Sequence, residues 1–263
     1  MEKIIKSCNI YDVRTSIITN GPDAGQTQIL VKFPECNLKC LKCGNLPDKE
    51  IDSCRYEGIP GSKEYYYVST PVFYIDLANV IINYCDFKNL HHAIRLCGGE
   101  PLMFSSYISL LSGNLKDLNV PVKLVTNGSL PHELAKVIDS LDIVQINYRL
   151  EIIDGIAPYI DKLKKCLEII RQAEKKAEVV IRISKELLES EVREVAVAIH
   201  EIDPEIPLYL EPCDSNLSIR KTSRITPAKI MRLINAACYK LPHVFLIPDF
   251  KPLLTDENSI QEI

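Results

Sequence analysis

The chain has 263 residues, 46% hydrophobic and 25% charged, with 31 lysines and arginines against 35 aspartates and glutamates for a formal charge of −4. That mix excludes a disordered chain and argues against a protein that coats nucleic acid, which would carry a basic excess. The length suits one α/β domain over 1–263; no apolar run nears the roughly 18 residues of a membrane span, and Met1–Lys6 lack a signal-peptide core, so a cytoplasmic protein is expected.

Ile29-Leu30-Val31-Lys32-Phe33 reads as the first strand and runs into Cys36-Asn37-Leu38-Lys39-Cys40-Leu41-Lys42-Cys43. Of the 10 cysteines the others stand singly, and a free cysteine packs like a small hydrophobe. Cys166, for instance, falls in the apolar stripe Ile160, Leu163, Cys166, Leu167 and Ile170. The clustered three differ in kind, because thiolates in a tight loop converge on zinc or an iron–sulfur centre. Structural zinc takes four ligands, for which Cys54 is the nearest candidate. A cubane [4Fe–4S] cluster held by Cys36, Cys40 and Cys43 would instead leave one iron open to a substrate or cofactor.

Residues 44–70 hold Cys54, Pro60-Gly61 and Tyr65-Tyr66-Tyr67 with little periodicity, and read as an insertion placed to form a lid or substrate wall. Thr70-Pro71 then predicts a capped helix over Phe73–Tyr84, a signature that Thr226-Pro227 repeats before Ala228–Cys238. Strands are predicted at Ala93–Cys97, Val122–Val125, Ile143–Ile146, Val179–Ile183, Leu208–Leu210 and Val244–Ile247. Helices are predicted between them over 106–115, 132–141, 158–176 and 185–202. Such alternation implies parallel strands joined by right-handed crossovers, as an open doubly wound sheet or a partial barrel.

Function in a parallel sheet collects at the carboxyl ends of its strands. The chemically unusual residues all fall there: the cysteine loop, Gly98-Gly99-Glu100-Pro101, Thr126-Asn127-Gly128, Asn147 and Glu211-Pro212. Arg182, ending the fifth strand, suits a cofactor carboxylate or a substrate anion, and Cys213 suits a ligand or a hydrogen-atom donor. His91-His92 precede their strand and belong to the opposite rim, while His132, His200 and His243 are isolated.

The pairing of Cys-x3-Cys-x2-Cys after one strand with Gly-Gly-Glu-Pro after the next resembles the radical S-adenosylmethionine superfamily over most of residues 15–255. The resemblance implies an α/β partial (βα)6-type parallel barrel. It also implies a [4Fe–4S] cluster on Cys36, Cys40 and Cys43, which reductively cleaves S-adenosylmethionine to a 5′-deoxyadenosyl radical. Gly98, Gly99 and Glu100 would then contact the amino group of the cofactor, and Thr126 and Asn127 its ribose or carboxylate.

Within the superfamily the chain is most similar to the 7-carboxy-7-deazaguanine synthases and their organic-radical-activating relatives. Gly21-Pro22-Asp23-Ala24-Gly25, Thr126-Asn127-Gly128 and the order of the closing segment carry that likeness. Four positions depart from the synthases. Lys42 stands where an aromatic residue precedes the third cysteine, and Gly44-Asn45 where Asp and a hydroxyl residue bind Mg²⁺. Val125 stands where they carry glutamate, and Pro248-Asp249-Phe250-Lys251 keeps only the lysine of Gln-x-His-Lys. The resemblance therefore implies the cluster and S-adenosylmethionine but neither the deazapurine substrate nor Mg²⁺.

Asn45, Arg182, Glu211 and Lys251 are the candidate substrate or lid residues. The expected partners are a small-molecule or modified-polymer substrate and an electron donor such as flavodoxin or ferredoxin, with a homodimer allowed for and no membrane. Two other readings stay open: an activating enzyme for a glycyl-radical protein, and a non-catalytic zinc protein using Cys36, Cys40, Cys43 and Cys54.

Overall fold

The computed structural model describes residues 5–19, 21–41, 51–212 and 225–247. In chain order the first elements are β1 (Ser7–Cys8), β2 (Asp12–Ile17), β3 (Thr27–Phe33), β4 (Ser53–Glu57), β5 (Tyr65–Ser69), β6 (Val72–Phe73) and α1 (Tyr74–Cys85). There follow β7 (Ile94–Gly98), α2 (Ser105–Gly113), β8 (Val122–Thr126), α3 (Pro131–Val137), β9 (Ile143–Tyr148), α4 (Glu151–Asp154) and α5 (Ile160–Gln172). The last are β10 (Lys176–Ile183), α6 (Glu189–Ile202), β11 (Leu208–Pro212), α7 (Pro227–Cys238) and β12 (Val244–Leu246).

One sheet runs in the order β12-β11-β10-β9-β8-β7-β3-β2-β4-β5. Every neighbouring pair from β3 to β12 is parallel. The helices α1, α2, α3, α5, α6 and α7 fall between successive members of that set. This is the partial (βα)6 barrel expected from the sequence.

Strand side chains alternate between faces, and here both faces are inward-looking. Ile29, Val31, Phe33, Ile94, Leu96, Leu124, Val144, Ile146, Val179, Ile181 and Leu208 are fully buried and form the helix-side core. Phe33 meets the rings of Phe104 at 5.7 Å and Tyr107 at 6.3 Å.

The concave face carries the intervening residues, many of them polar. Lys123 lies 2.5 Å from Asp23 and 2.7 Å from Glu178, and Arg95 lies 2.6 Å from the same Asp23 oxygen. Two cations balanced by two carboxylates tie the turn before β3 to β7, β8 and β10. A buried network of this kind requires every member.

Three local outcomes differ from expectation. Residues 53–69 form a hairpin: β4 pairs parallel with β2 and antiparallel with β5, so this part of the segment extends the sheet. Cys54 and Tyr56 alternate into the core, and Tyr56 stacks on Tyr66 at 5.5 Å. The helix expected directly after Thr70-Pro71 begins only at Tyr74, because Val72–Phe73 pair antiparallel with Ser7–Cys8. Thr226-Pro227 does cap its helix, with Thr226 Oγ1 accepting from Lys229 N at 3.2 Å. Finally β2, unassigned in the sequence, lies antiparallel to β3. Among the described residues no helix is long and apolar enough to cross a membrane.

Candidate active site

The cysteine loop leaves the carboxyl end of β3 and is fastened first to β7. Gly99 N donates to Phe33 O at 2.9 Å and Glu100 N to Glu35 O at 2.6 Å. The backbones are so close that a Cβ on Gly98 would lie 2.5 Å from Phe33 O, and one on Gly99 would lie 2.0 Å from Glu35 O. Gly98 also has φ +104°, a region that favours glycine. The Gly-Gly pair is thus needed for the loop to lie against the strand end.

A second fastening comes from the turn after β8. Asn127 Nδ2 donates to Asn37 Oδ1 at 3.0 Å and lies 3.8 Å from Cys36 Sγ. Asn37 Nδ2 donates to Ser129 Oγ at 2.8 Å, and Ser129 N to Asn127 Oδ1 at 2.9 Å. A third is made by α4, where Leu41 N donates to Asp154 O at 3.0 Å. The fully buried Asp154 carboxylate receives Arg182 Nη1 at 3.0 Å and Leu150 N at 3.3 Å. Arg182 in turn sits in register with Glu211 on β11.

Glu100 is fully buried beneath this rim. Its carboxylate accepts from Thr126 Oγ1 at 2.7 Å, Asn127 N at 2.7 Å and Leu102 N at 3.1 Å. Burial nonetheless outweighs those three hydrogen bonds and pushes its carboxyl up to about 7.

Cys36 and Cys40 are half-buried, unlike the core residues Cys8, Cys54 and Cys166, whose thiols burial pushes up to about 12. Cys36 Sγ also receives Leu38 N at 3.4 Å. Accessible thiols with N–H groups directed at sulfur fit an iron–sulfur centre, whose charge such contacts stabilise. Cys43, Asn45, Cys213 and Lys251 lie outside the described residues. Cys54 does not join Cys36 and Cys40: it is packed in the core of β4, and among the described residues no group of three or more such side chains is placed to hold a metal. The four-cysteine zinc arrangement through Cys54 is thereby corrected.

The structure therefore brings Cys36, Gly98, Gly99, Glu100, Thr126 and Asn127 to one rim, with Arg182 and Glu211 adjacent on the concave side. The sequence reading missed Asn37, Ser129 and Asp154. Their roles depend on partners far along the chain, and the one local signal was a lone aspartate before Gly155, whose φ is +67°.

Among solved structures, the fold is similar to that of QueE from Escherichia coli, with a TM-score of 0.52 at 13% identity over 89% of this chain and 91% of that one. It is also similar to Streptococcus suis SuiB bound to S-adenosylmethionine, with a TM-score of 0.54 at 15% identity over 82% of this chain and 51% of that one. These likenesses show the fold, a partial barrel of the kind that QueE and SuiB share. No family model matches the chain. Its sequence relatives are more particular. It is 27% identical over 240 residues to a 7-carboxy-7-deazaguanine synthase of Geobacter sulfurreducens, covering 91% of this chain and 94% of that one. It is 26% identical over 249 residues to the synthase of Methanopyrus kandleri, covering 93% and 94%.

Proposed function

We propose that this chain binds a [4Fe–4S] cluster through Cys36, Cys40 and Cys43 and cleaves S-adenosylmethionine, directing the chemistry at a substrate other than that of the synthases. When bound and reduced, the cluster supplies the electron that breaks the sulfonium bond and yields a 5′-deoxyadenosyl radical. The chain's own residues position and shield.

The observation that carries this reading is the triple fastening of the cysteine loop to Gly99–Glu100, Asn127 and Asp154, which holds the segment bearing two of the three thiols before any cofactor arrives. Gly98, Gly99 and Glu100 are assigned to the amino group of the cofactor, and Thr126 and Asn127 to its ribose or carboxylate. A bound ammonium would draw the buried Glu100 carboxyl from near neutrality into its ionised form. Asn45, Arg182, Glu211 and Lys251 are assigned to the substrate side. Val125 and Gly44-Asn45, which replace the glutamate and hydroxyl residues of the synthases, support a different substrate and no Mg²⁺. A flavodoxin or ferredoxin would supply the electron.

The test is anaerobic reconstitution followed by dithionite and S-adenosylmethionine, with 5′-deoxyadenosine read by mass spectrometry. Formation of 5′-deoxyadenosine without 7-carboxy-7-deazaguanine from the synthases' substrate is expected. A fully loaded protein that forms no 5′-deoxyadenosine would refute the proposal.

A further inference from the structure

The residue that opens α5 is a tyrosine whose side chain caps nothing. Tyr159 stands just before Ile160, where Ser, Thr, Asp or Asn would accept from the first helix amides, yet it makes no such bond. Its hydroxyl is used across the rim instead. Tyr159 Oη donates to Asn127 O at 2.8 Å and accepts from Arg149 N at 3.0 Å. The ring lies 4.6 Å from that of Tyr148, whose hydroxyl accepts from Tyr159 N at 3.3 Å.

Strand register explains why a side chain is needed there. The β8–β9 ladder ends at Thr126 opposite Ile146, and the chain leaves β8 through Gly128, where φ is +74°. Asn127 O and Arg149 N lie beyond that last pair, where the ladder no longer joins the two strands. Buried backbone groups at such a place need another partner. A phenol hydroxyl donates and accepts at once, so a single side chain bridges both strand ends.

What the bridge holds is a residue whose amide reaches a cluster thiol. Asn127 N is committed to Glu100 and Asn127 Oδ1 to Ser129 N. With its carbonyl taken by Tyr159, the backbone is fixed on both sides of the Cα. Nδ2 is thereby aimed at Asn37 Oδ1, 3.0 Å away, and at Cys36 Sγ, 3.8 Å away. The next carbonyl, Gly128 O, receives Cys166 Sγ of α5 at 3.4 Å. The start of α5 and its first turns therefore hold two successive carbonyls of the turn.

We propose that Tyr159 is a positioning residue for the cluster. By tying Asn127 to the end of β9, it sets the approach of the Asn127 amide to Cys36, and with it the order of the empty loop and the potential of the bound cluster. The potential rests on the assignment of Cys36 as a cluster ligand; the order of the loop does not.

Tyr159→Phe tests this, because it keeps the ring against Tyr148 and deletes only the bridge. In the cluster-free full chain, deuterium exchange of residues 36–41 rises about three- to tenfold, the loss of one hydrogen bond. In the reconstituted protein the cluster potential moves negative, since an N–H group near sulfur stabilises the reduced, more negative cluster. A merely structural role would move stability alone. Thr226→Ala, which removes the α7 cap, lowers the melting temperature and leaves both other readouts unchanged. The sharpest comparison is the double variant: in an Asn127→Ala background, Tyr159→Phe shifts the potential no further, because it acts through that amide. Should the double variant load no cluster, the same non-additivity is read from loop exchange. Additive shifts, or a wild-type potential or wild-type loop exchange in Tyr159→Phe, overturn the proposal. Exchange is read without iron, so a wild-type chain that loads no cluster refutes the proposed function alone, while exchange still decides what Tyr159 holds.

Discussion

Replacing Gly99 by alanine puts a methyl group where the cysteine loop already lies. The new Cβ would sit 2.0 Å from Glu35 O and 2.5 Å from its carbonyl carbon. A normal carbon–oxygen contact is about 3.3 Å, so the two backbones must part by roughly 1 Å. Neither obstacle is the end of a flexible side chain. Glu35 immediately precedes Cys36, and the 2.6 Å hydrogen bond from Glu100 N would be strained in the same movement. Overpacking costs about 1–3 kcal/mol and a weakened buried hydrogen bond about 1 kcal/mol more. For a chain of this size that lowers the melting temperature by about 5–10 °C. Thermal unfolding of the cluster-free protein reads the stability, and iron per chain after anaerobic reconstitution reads the loop. Gly113→Ala, at the end of α2 with nothing within 4 Å of the added carbon, is the matched control and gains up to about 1 kcal/mol. A Gly99→Ala protein that melts with the wild type and loads the same iron would refute the claim that close backbone approach locks the loop to β7.

Other perturbations have equally definite signs. Lys123→Met leaves Asp23 and Glu178 without their shared cation and costs about 3 kcal/mol, read as a lowered urea midpoint. Burial alone would raise the Asp23 carboxyl, but Lys123 and Arg95 hold it below its ordinary value. Its contribution to stability is therefore complete above about pH 4 and lost as pH falls through the folded value, so Asp23→Asn flattens the acid limb of the stability curve. Glu100 has the opposite sign. Burial raises its carboxyl to about 7, so the cofactor-free protein loses about 3 kcal/mol as pH rises from about 4.5 to 7, a slope that Glu100→Gln removes. Asn127→Ala deletes the donor to Asn37 and Cys36, which lowers iron loading and moves the cluster potential negative in redox titration.

The seven parallel strands were legible because each is a short apolar run rich in Val, Ile and Leu, and β3, β7, β8 and β9 stop at the cysteine loop, a glycine or an asparagine. What the pattern hid was the meaning of alternation. Lys123, Gln145 and Glu178 read as polar positions on half-buried strands, yet they lie side by side on the concave face of β8, β9 and β10, with Lys123 and Gln145 buried; a period of two cannot distinguish that face from solvent. Thr70-Pro71 and Thr226-Pro227 are the same local signal with different outcomes, since only the first is followed by residues that a distant strand captures. The rim motifs revealed their residue types but not their mutual grip. Asn127 reaches Asn37 across 90 residues of chain, and no local window contains that contact. The β4–β5 hairpin was obscured by its short strands and by three consecutive tyrosines, which offer no alternation of polarity.

In the proposed function, Cys36, Cys40 and Cys43 hold a cubane whose remaining iron receives S-adenosylmethionine. Mössbauer spectroscopy of protein reconstituted with ⁵⁷Fe, before and after addition of S-adenosylmethionine, tests it most directly. One iron site should separate from the other three when the cofactor is added, in the wild type and in Cys54→Ser alike. A spectrum that the cofactor leaves unchanged, or a separation that vanishes in Cys54→Ser, would contradict the account.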